Sequence, residues 1–470
     1  MIWDLQKYCD NTAILDEYGV SLTYGTLTEG GQRLVDAIGH RCLVFVLCRN
    51  ETGALVGYTG LLNSGCVPLL LNSHMDGEAL AGLLETYQPP YLWVPENMAP
   101  AFPGMMQVYS AFGYCLLRTR FKTECPLYPD LALLLTTSGS TGSPKFVRQS
   151  YENICANAES IASYLELNET ERPITTLPMS YTYGLSIINS HLLTGGTLLV
   201  TEKSLMQREF WAFFREAEAT SFGGVPYTYE MLDRMRFYRM DLPSLRTMTQ
   251  AGGKLPLALH EKFAEDARAK GRRFVVMYGQ CEATARMGYL PAEKAVEKCG
   301  SMGIAIPGGK FRLIDADGEQ ITTPGITGEL VYEGPNVTLG YAERGEDLAK
   351  GDERSGVLRT GDMAQFDEDG YYYITGRKKR FLKIYGNRVN LDEVDGLVKE
   401  KFPALDCASA GVDDHLYVFV TDGTQGEAVK DFLVRRTKLN PAAFRVIAID
   451  KIPKNDAGKT LYRELEQYYR

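Results

Sequence analysis

The sequence predicts an α/β protein of more than one domain, in which a sheet-and-helix body is followed by a small β unit and a compact α+β C-terminal part. Three observations carry this. Up to about Cys299, strand-like apolar runs alternate with helical patterns, the layout of a parallel sheet covered by helices. Beyond that point the texture changes to short alternating strands separated by tight turns. The length of 470 residues also exceeds what one hydrophobic core usually serves.

Taken in order, Leu43 to Leu47, Cys66 to Leu71 and Tyr91 to Val94 read as the first buried strands, with a helix over Ala54 to Leu62 between two of them. The apolar run Leu131 to Leu135 leads into the polar stretch Thr136 to Lys145, after which Phe146-Val147 continue extended. Ser150 is placed to cap a helix running through Tyr164. Thr197 to Thr201, Ser221 to Val225, Thr247 to Ala251 and Phe274 to Tyr278 read as further strands. In the β unit, Lys310 to Ile314, Gly328 to Tyr332 and Phe366 to Ile374 are strand segments, with turns at Asp315 to Gly318 and Asp367 to Gly370. A boundary is expected in Gly376 to Arg380, five residues carrying four positive charges and no apolar side chain, a run that taken alone reads as a solvated linker. Beyond it, Asn390 caps a helix with Glu393 at the capping-box position and Leu391, Val394, Leu397 and Val398 on one face. A strand at Leu416 to Val420, a helix near Gln425 to Arg436 and a strand at Phe444 to Ile449 complete this part.

Composition limits the function. A net charge of −9 argues against a general nucleic-acid binder, because phosphate backbones reward clustered Lys and Arg. The ten cysteines include no CxxC pair and there are only five histidines, so neither a zinc site nor a disulfide framework is expected; the thiols read as reduced and mostly buried. The N-terminus lacks the basic-then-apolar layout of a signal peptide, and no apolar stretch is long enough to span a bilayer. The expected location is cytoplasmic, without membrane insertion.

Several segments carry possible chemistry. Thr136-Thr137-Ser138-Gly139-Ser140-Thr141-Gly142-Ser143-Pro144-Lys145 combines two glycines, six hydroxyls and one ammonium, a composition that suits a phosphate cradle and also suits a polar turn. It is not a Walker A loop, since Ser143 and Pro144 separate glycine from lysine and no helix follows directly. In Tyr278-Gly279-Gln280-Cys281-Glu282, Glu282 lies just past a strand's carboxyl end, where open α/β sheets bind ligands. The ring of Tyr278 can stack on a base and Glu282 can hold Mg²⁺ against phosphates, or the two can be a core aromatic and a helix-start acid. Asp362, in what reads as a turn at Thr360-Gly361-Asp362, is an acceptor matched to a diol or simply a turn former. Lys459, in the polar tail Ile452 to Thr460, reads alone as one more surface lysine.

The order of these segments resembles the adenylate-forming superfamily, which includes acyl-CoA synthetases, adenylation domains of peptide synthetases, and luciferases. The resemblance runs through Thr137 to Lys145, Tyr278 to Glu282, Gly328-Glu329-Leu330, Arg359-Thr360-Gly361-Asp362, Gly376-Arg377, Lys383 to Val389 and Gly458-Lys459. It implies a large N-terminal domain, residues 1–378, of two sheet-and-helix subdomains plus a small β-barrel at about 300–375. A small mobile C-terminal domain, residues 379–470, would follow and swing between two half-reactions.

By the same resemblance, Thr137, Ser138, Gly139, Ser140, Thr141, Gly142 and Lys145 would close over the β- and γ-phosphates of ATP, with Thr137 among the catalytic groups. Tyr278, Gly279, Gln280 and Cys281 would line the nucleotide site, with Gly252 and Gly253 on its adenine side. Glu282 would hold Mg²⁺, Asp362 would bind the ribose hydroxyls, and Arg377 would contact the ribose or phosphates. Lys379 matches the hinge. Lys459 would bridge the substrate carboxylate and the α-phosphate during adenylation. Gly386 would line the channel for the thiol acceptor, CoA or the phosphopantetheine of an acyl carrier protein.

The departures from the family pattern shape the expected substrate. Cys281 stands where a Thr is usual, replacing a hydroxyl by a poorer donor and predicting a weaker ATP contact. The expected acyl pocket comprises Tyr181, Tyr183, Gly184, Val225, Pro226, Tyr227 and Gly252, whose tyrosines suit a short, aromatic or hydroxylated acid. No aspartate lies in Pro178 to Gly184, which disfavours an amino acid, because a buried ammonium needs a carboxylate partner. The function expected is ATP-dependent activation of a carboxylic acid followed by acyl transfer to a thiol. An amide-forming ligase with an amine acceptor and a non-catalytic nucleotide-binding relative are the alternatives.

Overall fold

A computed structural model of the protein describes residues 2–122, 125–136, 145–378, 380–385, 387–454, 458 and 460–469. The chain forms two compact units, one of residues 1–310 with 333–358 and the other of residues 311–332 with 359–470.

The first unit is built on three sheets. The largest has eight strands in the order Gly340–Ala342, Phe146–Ser150, Leu131–Thr136, Val67–Asn72, Leu43–Cys48, Tyr91–Pro95, Tyr114–Arg118 and Met106–Ala111. Its four central strands, Leu131–Thr136 to Tyr91–Pro95, are parallel, and both flanks turn antiparallel. Leu43–Cys48 is buried along its whole length because side chains on both faces meet apolar neighbours, which is why it reads as an unbroken apolar run. Each such leucine taken from water contributes roughly 2 kcal/mol. A second sheet has five strands: Ser221–Gly224, Thr247–Gln250 and Arg273–Tyr278 in parallel, then Gly288–Tyr289 and Ile304–Ala305 antiparallel. A third, Leu198–Val200, Thr12–Asp16 and Ser21–Thr23, lies near the N-terminus.

Helix Tyr151–Tyr164 starts where the sequence places its cap. Ser150 Oγ accepts from the Asn153 amide at 3.1 Å while Asn153 Oδ1 accepts from the Ser150 amide at 2.9 Å, a reciprocal capping box. The same Asn153 donates from Nδ2 to the carbonyls of Pro335 and Val337, tying the helix start to the 333–358 segment.

The second unit holds a five-stranded sheet in the order Gln320–Ile321, Lys310–Ile314, Gly328–Glu333, Val357–Phe366 and Tyr372–Arg377. It also contains the hairpin Phe381–Ile384 with Asn387–Asn390, and an α+β portion. There, helices Leu391–Lys401 and Gly426–Thr437 accompany the strands Cys407–Val412, His415–Val420 and Phe444–Ala448. Asn390 caps the first of these helices, accepting from the Asp392 amide at 2.9 Å.

Two sequence expectations are corrected here. Thr360-Gly361-Asp362 is not a turn: it lies inside the ten-residue strand Val357–Phe366, with Gly361 at φ +69° supplying a local kink that a ladder position would otherwise resist. Within the basic run, Arg380 is not solvated either. Arg380 reaches Asp392 at 2.5 Å and Asp395 at 2.8 Å, and its guanidinium lies 3.7 Å over the Tyr462 ring. All ten cysteines are free thiols, six of them buried. Among the described residues no helix is long and apolar enough to cross a membrane.

Candidate active site

The stem of the Thr136-to-Lys145 stretch is an antiparallel hairpin. Thr136 pairs with Phe146 at its open end. Thr137, Ser138, Gly139, Ser140, Thr141 and Gly142 lie outside the described residues, as do Lys379, Gly386 and Lys459. Lys145 is described. Its Nζ is 2.7 Å from Glu343 Oε1 and 5.8 Å from the centre of the Tyr341 ring.

Strand pairing explains that meeting. Gly340–Ala342 runs antiparallel to Phe146–Ser150, with Tyr341 opposite Val147 and Ala342 opposite Phe146, so the next residues outward are Glu343 and Lys145. Arg148, with no exposed surface, fastens this edge by donating to the carbonyls of Leu339, Tyr341, Lys350 and Gly351 and pairing with Glu353 at 2.5 Å. A polar cleft of about 650 Å³ opens beside it, lined by Tyr341, Glu343, Arg344, Lys350 and Arg354 among others.

Tyr341 joins this edge to Glu282. Its hydroxyl donates to Glu282 Oε1 at 2.7 Å, and Arg354 lies 4.6 Å over its ring. Burial, and then the Glu282 charge, push the Tyr341 hydroxyl above its usual range, so it stays protonated and keeps donating. The Glu282 backbone is fixed as well. Its carbonyl accepts from the Thr338 amide, the Thr338 hydroxyl and Arg354 Nη1, each at 3.0 Å. Thr284, two residues on, sits at φ +64°, a rare conformation for a β-branched residue. It is held there by its hydroxyl on the Asn336 carbonyl at 2.8 Å and by the Thr182 hydroxyl on its own carbonyl.

The rest of the Tyr278-to-Glu282 segment follows the strand Arg273–Tyr278 as expected. Tyr278 is half-buried at the strand's carboxyl end, where its hydroxyl accepts from Gln280 Nε2 at 3.3 Å. Gly279 has no room for a side chain, since a Cβ would overlap the Ala285 carbonyl. Cys281 packs into the buried apolar core, in the cluster with Leu135, Met179 and Leu185. Thus Lys145, Glu282 and the Tyr278 turn share one unit, linked through Tyr341.

Of the expected acyl-pocket residues, Tyr181, Tyr183 and Val225 belong to one apolar cluster with Ala251 and Met277. Tyr181 stands at the N-cap position of the helix Thr182–Thr194 without a side-chain cap hydrogen bond, and its ring centre is 6.4 Å from that of Tyr183. The Tyr183 hydroxyl is 2.7 Å from Thr249 Oγ1. Gly252, at φ +85°, faces both neighbours: a Cβ there would stand 2.8 Å from the Tyr181 hydroxyl and 3.1 Å from Val225 Cγ1. Gly253 similarly approaches Pro226, and Gly184 abuts the Leu177-Pro178 backbone. Tyr227 differs, being 53% exposed.

In the second unit, Asp362 is buried and opposite Arg377 in register, with Arg377 Nε 3.3 Å from Asp362 Oδ1. Glu329 nearby holds Arg359 at 2.6 Å and Lys378 at 2.8 Å. Sequence reading missed Tyr341, Arg354 and Glu343. The one available signal was the alternation Val337-Thr338-Leu339-Gly340-Tyr341, which marks a strand and carries no sign of a site.

Among the described residues no group of three or more His, Cys, Asp or Glu side chains is placed to hold a metal. Glu282 alone still fits Mg²⁺, which is commonly held by one or two carboxylates and the phosphates of a substrate.

Residues 2–342 match the family model described as AMP-binding enzyme. The chain is 27% identical over 444 residues to a 2-succinylbenzoate–CoA ligase of Geobacillus sp. (strain WCH70), covering 90% of this chain and 87% of that one. It is 30% identical over 366 residues to an oxalate–CoA ligase of Arabidopsis thaliana, covering 74% and 69%. Its fold matches that of the O-succinylbenzoate coenzyme A synthetase (MenE) of Bacillus subtilis in complex with AMP, with a TM-score of 0.79 at 22% identity over 98% and 96% of the two chains.

Proposed function

Because the chain belongs to the family of AMP-binding enzymes and is an acyl-CoA synthetase-like enzyme, we propose that it activates a small carboxylic acid with ATP and passes the acyl group to a thiol. In the first step a carboxylate oxygen attacks the α-phosphorus, the bond to the bridging oxygen breaks, and pyrophosphate leaves. In the second, the sulfur of coenzyme A or of a carrier-protein phosphopantetheine attacks the acyl carbon, its proton is lost, and AMP leaves. The first nucleophile is already ionised, so the protein has no proton to remove; its task is to hold like charges together.

The observation that carries this reading is Tyr341, with Lys145 over its ring and Glu282 on its hydroxyl. A cation and a carboxylate held on one tyrosine suit the phosphates of ATP and the Mg²⁺ that offsets their charge. Relatives named as CoA ligases favour the thiol acceptor, and solved neighbours described as bound to AMP, or to ATP and magnesium, favour the nucleotide and metal.

The remaining assignments belong to the same proposal. Thr137 to Gly142 close on the β- and γ-phosphates, Tyr278 stacks on adenine beside Gly252 and Gly253, and Asp362 with Arg377 takes the ribose. Tyr181, Tyr183, Gly184, Val225, Pro226 and Tyr227 receive the acid. Residues 379–470 turn about Lys379 as a mobile domain, presenting Lys459 to the carboxylate in one half-reaction and Gly386 to the thiol in the other. A cytoplasmic location accords with these substrates.

Exchange of labelled pyrophosphate into ATP, across a panel of carboxylic acids with Mg²⁺, tests the first step. Exchange with at least one acid is expected, and its loss in Lys459→Ala; folded protein that exchanges with none would overturn the reading. Adding CoA, carrier protein or amines to preformed adenylate identifies the acceptor as the one that accelerates AMP release.

A further inference from the structure

Beside the acyl cluster sits a cation that the reaction as described does not use. Arg286 is 2% exposed. Its Nε donates to Ser186 Oγ at 3.0 Å, and its Nη1 donates to the Tyr164 hydroxyl at 3.1 Å and lies 3.4 Å from Met277 Sδ. The guanidinium lies over the Tyr183 ring, 5.3 Å from its centre. Among the described residues no carboxylate pairs with it, and its Nη2 has no hydrogen-bond partner.

Among the described residues, the side chains in contact with its guanidinium are neutral. Tyr164, Tyr183 and Ser186 offer hydroxyls, Met277 a thioether, and buried His191 further along the helix is held uncharged as burial drives its pKa down to about 4. Hydroxyl dipoles and a ring face offset part of the cost of burying the guanidinium, but a full charge shielded from water ordinarily has an anion as partner. Tyr164, Tyr183 and Met277 pack in the same cluster as Tyr181, Val225 and Ala251, the wall against which Gly252 closes. Arg286 therefore stands against the acyl cluster.

We propose that the acid itself supplies this anion: Arg286 reads a second negatively charged group, and the substrate is a short dianion with a distal carboxylate. The proposal rests on the carboxylate-activating reading above. A planar guanidinium suits a carboxylate, which can take two parallel hydrogen bonds. The two tyrosines and the close approach of Gly252 limit the length of the acid between its reacting and distal ends. A neutral hydroxylated acid, the other chemistry the tyrosines could serve, would leave the charge on Arg286 unmatched.

The test is pyrophosphate exchange with matched acids on short aliphatic and aromatic skeletons, each ending distally in a methyl, a hydroxyl or a carboxylate. The dicarboxylate is expected to exceed its methyl and hydroxyl counterparts in kcat/KM by about 100-fold, the order seen when a buried charge pair loses a partner. Arg286→Met is expected to erase that ratio. Arg286→Lys keeps a charge but not the fork, and is expected to lower the ratio by roughly tenfold, which carries the test if the methionine variant does not fold. Wild-type preference for the methyl or hydroxyl acids would overturn the role of Arg286 alone, as would a ratio unmoved in a folded variant. Exchange with no acid in any series would overturn the activation reading and this one with it.

Discussion

The Tyr341 hydroxyl donates to Glu282 Oε1 at 2.7 Å, across 59 residues of sequence. Arg354 lies 4.6 Å and Lys145 5.8 Å from the centre of the same ring, so one tyrosine gathers a carboxylate and two cations.

Tyr341→Phe keeps the ring and removes the donor. We expect kcat for pyrophosphate exchange to fall by about 10- to 100-fold, the usual cost of losing a partner that orients a metal-holding group, with a higher Mg²⁺ concentration needed for half-maximal rate. A Mg²⁺ titration of the variant checks this, and an unchanged titration would contradict the orienting role of Tyr341.

Under the proposed function, Glu343 and the phosphates of ATP compete for Lys145. The pair is partly exposed, 36% and 53% for the two side chains, so breaking it releases about 1 kcal/mol at most. Glu343→Gln is therefore expected to lower KM for ATP by up to about fivefold with little change in kcat. Steady-state kinetics at two salt concentrations would show the difference shrinking as screening rises.

Gly279→Ala tests the tight turn after Tyr278. The added Cβ meets the Ala285 carbonyl, a backbone atom that cannot step aside alone. A loss of roughly 1–3 kcal/mol is expected, read as a lower denaturant midpoint, together with a raised KM for ATP as the Tyr278 ring shifts. A variant as stable as the parent would mean that the Ala285 turn is free to move.

His191 makes stability depend on acid. Burial, chiefly, and then the nearby charge of Arg286 lower its pKa to about 4, against 6.5 for an ordinary histidine, while a hydrogen bond to the Ile187 carbonyl acts the other way. The folded state thus binds fewer protons than the unfolded one between those values. The stability contributed is present above pH 6.5 and is lost as pH falls through 4, amounting to about 3 kcal/mol. His191→Phe should flatten the fall in urea midpoint across that window; parallel curves for variant and parent would exclude His191 as its source.

How much of this was legible from the chain differs by element. Leu43–Cys48 and Val67–Asn72 could be read because a parallel strand covered on both faces must be apolar throughout. Ser150 could be read as a cap because capping chemistry is local, although the partner that closes the box, Asn153, is not the usual Glu or Gln. Asp362 was read as a turn residue from Thr360-Gly361, yet it lies in a strand, since pairing with the Tyr372–Arg377 strand outweighs the local preference of one glycine. Arg380 reads as solvated because its charge is visible in the sequence, whereas Asp392 and Asp395 reach it only once the following helix has formed.

What the sequence determined, then, is local or periodic: the runs that become buried strands, the helix starts, and the placement of Glu282 just beyond a strand's carboxyl end. The tertiary structure decided which distant side chains act together. Tyr341 meets Glu282 only because Gly340–Ala342 pairs with Phe146–Ser150, almost two hundred residues earlier, and the Arg286 guanidinium lies over the Tyr183 ring from a segment about a hundred residues further on. Backbone propensity and capping act between neighbours in the chain, while the contacts that assemble the site act between residues distant in sequence and close in space.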